Sequence, residues 1–346
     1  MFRFFFFSVF FFISYALRTN ISYYQPGLWP FVLAHRGASG YLPESTLESF
    51  TMAIYGNTDF VEMDVVLTKD MQLLVMHDPS LSRVTNIEDF PEFQDRKTTR
   101  VVDNKTVNDF FTDNFTMEEV KRLSIRQGLV EGRPTIFDYK FKAPSLDEFL
   151  VFMLDQNQQR KLKDPTKGVI GAFLEAKNGN MYKEIYGEEF EIGELLLKKL
   201  GEYGLADANN ASLYCPIVLQ SFPIDTTKYF FESGNNLPRI QLLNDGIYNY
   251  SLEEVEKCAH GVGVSFPMVF NQTENQIKRT DYVRKAHRLG LKVFAYTFQD
   301  DKYYFGRTPQ EMYLIAQKYL ELDGVFTEFF DVAVNVYRTE SIGEMI

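Results

Sequence analysis

The chain has 346 residues, with 36 Lys and Arg against 47 Asp and Glu, a formal net charge of −11, two cysteines, 45% hydrophobic and 16% aromatic side chains. Abundant Phe and Tyr with 24% charged residues allow a buried core, which excludes disordered and fibrous classes. The acidic balance argues against a nucleic-acid partner, because phosphate-backbone binding needs clustered Lys and Arg, so any anionic substrate requires a local source of positive charge.

Residues 1–16 read as a signal peptide. Eight of the 33 Phe fall between Phe2 and Phe12, behind the positive Arg3, and Ser14-Tyr15-Ala16 sets small residues at −3 and −1 of a cleavage site. The uncharged run 4–15 is too short to span a bilayer, which takes about 20 apolar residues, and no stable membrane span is expected after cleavage; the alternative is an uncleaved signal anchor. Loss of Arg3 takes the mature charge to −12. Six Asn-x-Ser/Thr triplets, at Asn20, Asn104, Asn114, Asn210, Asn249 and Asn271, fit a secreted or lumenal history. Cys215 and Cys258 could pair there or stand as buried thiols.

After a lead-in at 17–30, short apolar runs alternate with helical patterns, the mark of a parallel sheet wrapped by helices. The expectation is an α/β fold, a (β/α)8 TIM barrel over 31–338 with a tail at 339–346. Strands are predicted at 31–35, 60–67, 72–76, 169–175, 217–221, 239–243, 261–265, 292–297 and 324–327. Helices are predicted near 45–55, 146–162, 184–200, 276–289, 309–320 and 331–337. A closed barrel takes eight strands, and only four residues separate 67 from 72, too few for a parallel crossover, so 72–76 is the return arm of a hairpin outside the barrel. A two-residue turn at Lys69 and Asp70 would set Asp64 opposite Val75 and Glu62 opposite His77. Residues 79–144 break the alternation, carry one helical stretch at 116–127, and read as a small cap subdomain inserted after the second barrel strand.

The chemistry-bearing clusters all fall at strand C-termini, the rim where barrel active sites are built. His35-Arg36-Gly37-Ala38-Ser39-Gly40 follows the first strand, Glu62-x-Asp64 closes the second, His77-Asp78-Pro79 follows the hairpin, and Glu175-Ala176-Lys177 ends the third barrel strand. Spacing by two sets Glu62 with Asp64, and Glu175 with Lys177, on shared inward faces. Three converging carboxylates repel unless a cation neutralises them, and an all-oxygen set selects one hard divalent ion, Ca²⁺ or Mg²⁺. Such an ion, the Arg36 fork and the Lys177 point charge would supply the missing positive charge to a phosphate, with His35 and His77 as a general acid and base. Each residue alone has a plain structural reading: a satisfied histidine, a solvated strand edge, a surface ion pair. Their joint occurrence carries the argument, since only four His exist and two of them terminate strands beside the carboxylates. Glu44 could cap the next helix or join the site, Gln220 and Ser221 could contact substrate or pack in the core, Glu328 is the weakest candidate, and His260 and His287 have no assigned role.

His35-Arg36-Gly37-Ala38-Ser39-Gly40-Tyr41-Leu42-Pro43-Glu44-Ser45-Thr46, Glu62-Met63-Asp64-Val65 with Leu67-Thr68-Lys69-Asp70, and His77-Asp78-Pro79 together resemble the signature of glycerophosphodiester phosphodiesterases. Glu175-x-Lys177, Leu219-Gln220-Ser221-Phe222 and Gly324-Val325-Phe326-Thr327 extend the resemblance, and Arg83-Val84-Thr85 with 114–123 is similar to the longer, periplasmic-type branch. The resemblance implies a barrel with an inserted cap and a divalent metal on Glu62, Asp64 and Glu175, with Glu44 as a further contributor. It also implies His35 and His77 as the acid–base pair, and Arg36 and Lys177 on the phosphate. The expected reaction is hydrolysis of a small glycerophosphodiester to sn-glycerol 3-phosphate and an alcohol. A nearer rival is a lysophospholipase D with an acyl groove drawn from Phe90, Phe93, Phe110, Phe111 and Phe115; a remote one is a silent phosphate-binding barrel. Two departures, Thr327-Glu328-Phe329-Phe330 for a usual Thr-Asp-x-Pro and Tyr296-Thr297 for a frequent Trp-Thr, are expected to lie away from the metal and histidine set.

Overall fold

The structure, a computed structural model, describes residues 30–128, 131–273, 276–302 and 306–343. The predicted signal peptide and almost all of the lead-in lie outside them. Thirteen strands occur among the described residues: β1 (Phe31–His35), β2 (Phe60–Leu67), β3 (Leu73–Val75), β4 (Thr98–Val102), β5 (Lys105–Asp109), β6 (Gly171–Ala176), β7 (Ile217–Ser221), β8 (Arg239–Leu243), β9 (Gly261–Ser265), β10 (Phe270–Thr273), β11 (Gln276–Arg279), β12 (Lys292–Phe298) and β13 (Gly324–Thr327). Eight of them, β1, β2, β6, β7, β8, β9, β12 and β13, pair in parallel, and β1 joins both β2 and β13, so the barrel is closed.

Alternation along each strand builds the barrel interior in layers. Leu33, Phe60, Phe173, Val218, Ile240, Phe294 and Phe326 form one buried cluster. Its rings meet edge to face, with centroids 5.0 Å apart for Phe60 and Phe173 and 5.9 Å for Phe173 and Phe326. Two residues further along, the inward face of the same strands carries His35, Glu62, Glu175, Gln220, Leu242 and Tyr296, with Glu328 just past the end of β13. An aromatic plug thus floors the site. The opposite strand faces, with Val32, Val61, Met63, Ala172 and Leu174, pack on the helices in the main core.

β3 is the hairpin arm outside the barrel, but its register is one residue from the expected one. Val65 faces Val75 and Val66 faces Leu74, not Asp64 against Val75. The chain reverses through Lys69, Asp70 and Met71, with Thr68 N donating to Gln72 O at 3.0 Å and Met71 left-handed at φ 57°, so the loop has three residues rather than two. Even-numbered side chains now share a face. Val66, Leu74 and Met76 enter a second core with Phe93, Phe110, Phe115, Val120 and Leu123, the core of the inserted segment.

That segment also holds a strand pair that pattern reading missed. β4 and β5 join through Asp103 and Asn104, at φ 49° and 61°, the two left-handed residues a two-residue hairpin turn requires. Its helix is shorter than expected, Met117–Arg122, with a Thr116–Glu119 capping box. Two other helices also differ: 184–200 is split into Gly179–Tyr186 and Ile192–Glu202 at Gly187 (φ 106°), and 276–289 begins as β11 before the helix Tyr282–Arg288. Cys215 and Cys258 are both buried and free.

Asp323 fastens β12 to the start of β13. Its carboxylate accepts from Val293 N at 2.8 Å, His287 Nε2 at 2.8 Å and Lys292 Nζ at 2.7 Å, while its own N donates to Val293 O. Burial pushes this carboxyl up, but His287 and Lys292 outweigh it and hold it below its ordinary value. A depressed folded pKa contributes stability above the unfolded value, near 3.9, that is lost as pH falls through the folded one. Asp323→Asn is expected to cost about 2 kcal/mol at pH 7 and to flatten the acid limb below pH ~4, read by urea denaturation across pH.

Candidate active site

The turn after β1 opens the site. Arg36 and Gly37 are both left-handed, at φ 56° and 81°, and a Cβ on Gly37 would meet the Ser49 carbonyl carbon at 2.8 Å, so this tight approach needs glycine. The turn aims Arg36 N at Glu62 Oε2, 2.9 Å away. Gln220 Nε2 donates to the other Glu62 oxygen at 3.1 Å.

Parallel pairing lays the carboxylates side by side: Asp64 registers with Glu175, and Glu175 with Gln220. Glu62, Asp64 and Glu175 are buried and each offers an oxygen within 4.8 Å of the others. Lys177 Nζ lies 3.0 Å from Glu175 Oε1 and 3.7 Å from Asp64 Oδ1, and Arg36 Nε lies 3.5 Å from Asp64 Oδ2. Burial, with Asp64 beside it, pushes Glu62 well above the carboxylate range. Burial opposed by Lys177 takes Glu175 to about 8. For Asp64 burial is outweighed by Lys177, His77 and Arg36, which bring it to about 2. One strongly ionised and two reluctant carboxyls are what a dry, crowded acidic cluster shows when its basic neighbours, here Lys177 and Arg36, do not offset three negative charges. Asp64 Oδ2 is buried with no hydrogen-bond partner. The all-oxygen donor set and this orphaned atom fit a hard divalent ion.

Both predicted histidines reach the same cavity, of about 160 Å³, lined by His35, Arg36, Glu62, His77, Glu175, Lys177, Gln220, Phe222, Leu242, Tyr296, Thr297 and Phe326. Each imidazole is tethered at Nδ1 to a carboxylate. His35 Nδ1 lies 3.2 Å from Glu328 Oε1, and His77 Nδ1 lies 2.5 Å from Asp78 Oδ1. Both carboxyls are held low: burial opposes this, but His35 and Arg133 bring Glu328 to about 2, and His77 and Arg83 depress Asp78. An ionised carboxylate only accepts, so both protons sit on Nδ1 and both Nε2 atoms keep a free lone pair. Burial and then Arg36 depress both histidines, His77 to about 4, so both are neutral at pH 7.

Glu44 does not cap the following helix, because Thr46 Oγ1 accepts from Ser49 N there. It pairs instead with Arg36 Nη1 at 3.1 Å and with Arg83 Nη2 at 2.5 Å, linking the β1 turn to the insertion. Ser221 is turned away, with Oγ donating to Ala176 O at 2.8 Å. His260 and His287 hold loops elsewhere. The two sequence departures expected to lie away from the site are both in it: Glu328 contacts His35, and Tyr296 lines the cavity. The reason is closure, since β12 and β13 complete the ring beside β1. Arg133 carried no sequence signal, and Arg83 only its place in a quoted motif. Of the aromatics an acyl groove would use, Phe93, Phe110, Phe111 and Phe115 are at most 2% exposed and fill core instead. Among the described residues no helix is long and apolar enough to cross a membrane.

The fold and its rim define a (β/α)8-barrel enzyme. Residues 35–332 match the model of the glycerophosphoryl diester phosphodiesterase family, and the chain belongs to that family. It is 29% identical over 325 residues to the glycerophosphodiester phosphodiesterase GDPD6 of Arabidopsis thaliana, covering 87% of this chain and 84% of that protein. Against the glycerophosphodiester phosphodiesterase of Haemophilus influenzae it is 26% identical over 348 residues, 89% of each chain. Among solved structures, the barrel is similar to a glycerophosphodiester phosphodiesterase from Thermotoga maritima (TM-score 0.54, 20% identity, 89% and 98% of the two chains). It is also similar to a phosphodiesterase from Oleispira antarctica in complex with the product sn-glycerol-3-phosphate (TM-score 0.58, 19% identity, 89% and 96%).

Proposed function

We propose that this enzyme hydrolyses small glycerophosphodiesters to sn-glycerol 3-phosphate and an alcohol in a metal-dependent reaction, with His35 and His77 as the acid–base pair. The observation that carries the reading is the convergence of two Nδ1-tethered imidazoles, Glu62, Glu175, Arg36 and Lys177 on one small cavity, with an Asp64 oxygen within 4.8 Å of both carboxylates. Glu62, Asp64 and Glu175 would hold Ca²⁺ or Mg²⁺, which when bound supplies a Lewis acid for a phosphoryl oxygen. Arg36 and Lys177 attract and orient the phosphodiester. One Nε2 takes a proton from the attacking hydroxyl, of water or of the substrate itself, and the other imidazole, which takes up a proton at Nε2 when the anionic diester binds beside it, gives that proton to the departing alkoxide. The aromatic plug closes the floor against bulk water.

The inserted segment caps the rim, and its filled core favours small soluble diesters over single-chain lipids. The signal-like N-terminus and the sequons support a secretory-pathway location; Asn104, Asn210, Asn249 and Asn271 are exposed. A headgroup panel checks the substrate class: glycerophosphocholine, glycerophosphoethanolamine and glycerophosphoinositol against lysophosphatidylcholine. Turnover of the soluble diesters at least tenfold above the lysolipid is expected, and the reverse order would assign the enzyme to lipids.

A further inference from the structure

We infer that Arg133, from the inserted segment, is a positioning residue that fixes the orientation and tautomer of His35 through Glu328. The inference rests on the proposed role of His35.

Arg133 follows Glu131 and Gly132 on an exposed loop, yet its own side chain is only 6% exposed. All three nitrogens of its fork donate. Nε donates to Asp301 Oδ2 at 2.6 Å, Nη1 to Ser39 O at 3.3 Å, Nη2 to Asp301 Oδ1 at 3.2 Å and also to Glu328 Oε2, and the guanidinium carbon lies 5.5 Å from the Phe329 ring centroid. One planar group therefore ties together the loops that follow β1, β12 and β13. Gln127 adds a second strap from the same segment, Nε2 to Ser39 O at 2.9 Å.

Glu328 sits between that fork and the imidazole. Gln299 Nε2 also donates to its Oε2, at 3.0 Å, which leaves Oε1 to face His35 Nδ1. A carboxylate pinned from behind by two donors is fixed in rotamer and can only accept from the ring, so Nε2 is the atom left for chemistry. The other histidine repeats the arrangement: Arg83, also from the insertion, donates through Nε to Asp78, which holds His77. The insertion thus supplies one arginine behind each carboxylate. Lysine could not replace Arg133, because a point charge cannot satisfy the Ser39 carbonyl and the Asp301 and Glu328 carboxylates in one plane.

Arg133→Lys, Arg133→Ala and Glu328→Gln test this beside His35→Ala, with ¹⁵N-histidine NMR and glycerophosphocholine kinetics. Expected are a 10- to 1000-fold fall in kcat, a KM within about threefold of wild type, a near-wild-type Tm and a His35 signal shifted from pure Nδ1–H to mixed tautomers. Should Glu328→Gln not fold, Arg133→Lys decides. Wild-type kcat, or an unchanged Nδ1–H signal in a folded variant, would overturn the inference. If His35→Ala itself keeps wild-type turnover, the catalytic reading fails instead, and the NMR signal still decides whether Arg133 positions the ring.

Discussion

Replacing either His77 or His35 by alanine is expected to lower kcat on glycerophosphocholine by about 10²–10⁴ while leaving the barrel folded. His77 follows β3 rather than sitting inside it, and its side chain is 29% exposed, so truncation opens a wet gap and not a dry core cavity. Its ring, depressed to about 4 by burial, Arg36 and Lys177, is a neutral proton acceptor at pH 7. His35 is more enclosed, at 13% exposure, yet it lines the cavity and is held by the Glu328 carboxylate at Nδ1. Loss of turnover with an unchanged Tm separates proton transfer from folding. Two folded variants with wild-type kcat would remove acid–base catalysis from the account.

The second large effect concerns the carboxylate cluster and is read without turnover. Glu175, raised to about 8 against an unfolded value near 4.3, is favourable protonated in the folded state. Its contribution is fully present below the unfolded pKa and is lost as pH rises toward 8. Chelated wild-type protein is therefore expected to lose stability relative to Glu175→Gln between pH 5 and pH 8. Adding Ca²⁺ or Mg²⁺ at about 100 times its dissociation constant should restore roughly 2.7 kcal/mol to wild type and much less to the variant. A denaturation series in chelator, then in each cation, measures both. Identical pH slopes, or equal stabilisation of both proteins by cation, would mean that these carboxylates do not form a metal site.

Strand positions were legible because buried parallel strands read as short apolar runs: β1, β2, β7, β8, β9 and β13 begin and end where the pattern placed them. The site was legible for a related reason: His35 and Glu175 sit where such runs stop and His77 just past β3, while Glu62 and Asp64 stand out as two charges inside the apolar run of β2 rather than at its end. What stayed hidden depended on dihedrals or on three-dimensional closure. The left-handed Met71 lengthened a hairpin loop and slipped its register by one. Asp103-Asn104 concealed a turn that its positive φ values identify at once. Glu328 looked remote because it lies 293 residues from His35 along the chain, although barrel closure brings the two together. Arg133 could not be read at all, because nothing about a polar loop says which one of its side chains will be buried.

The central claim is that this acidic protein cleaves the bond between phosphorus and the headgroup oxygen, using a cation to receive an anionic substrate. ³¹P NMR of purified enzyme with glycerophosphocholine tests it most directly, first in chelator and then with Ca²⁺ or Mg²⁺ restored. The expected result is no reaction in chelator and, on restoring the ion, replacement of the diester resonance by that of sn-glycerol 3-phosphate. Formation of phosphocholine, or full turnover in chelator, would contradict it.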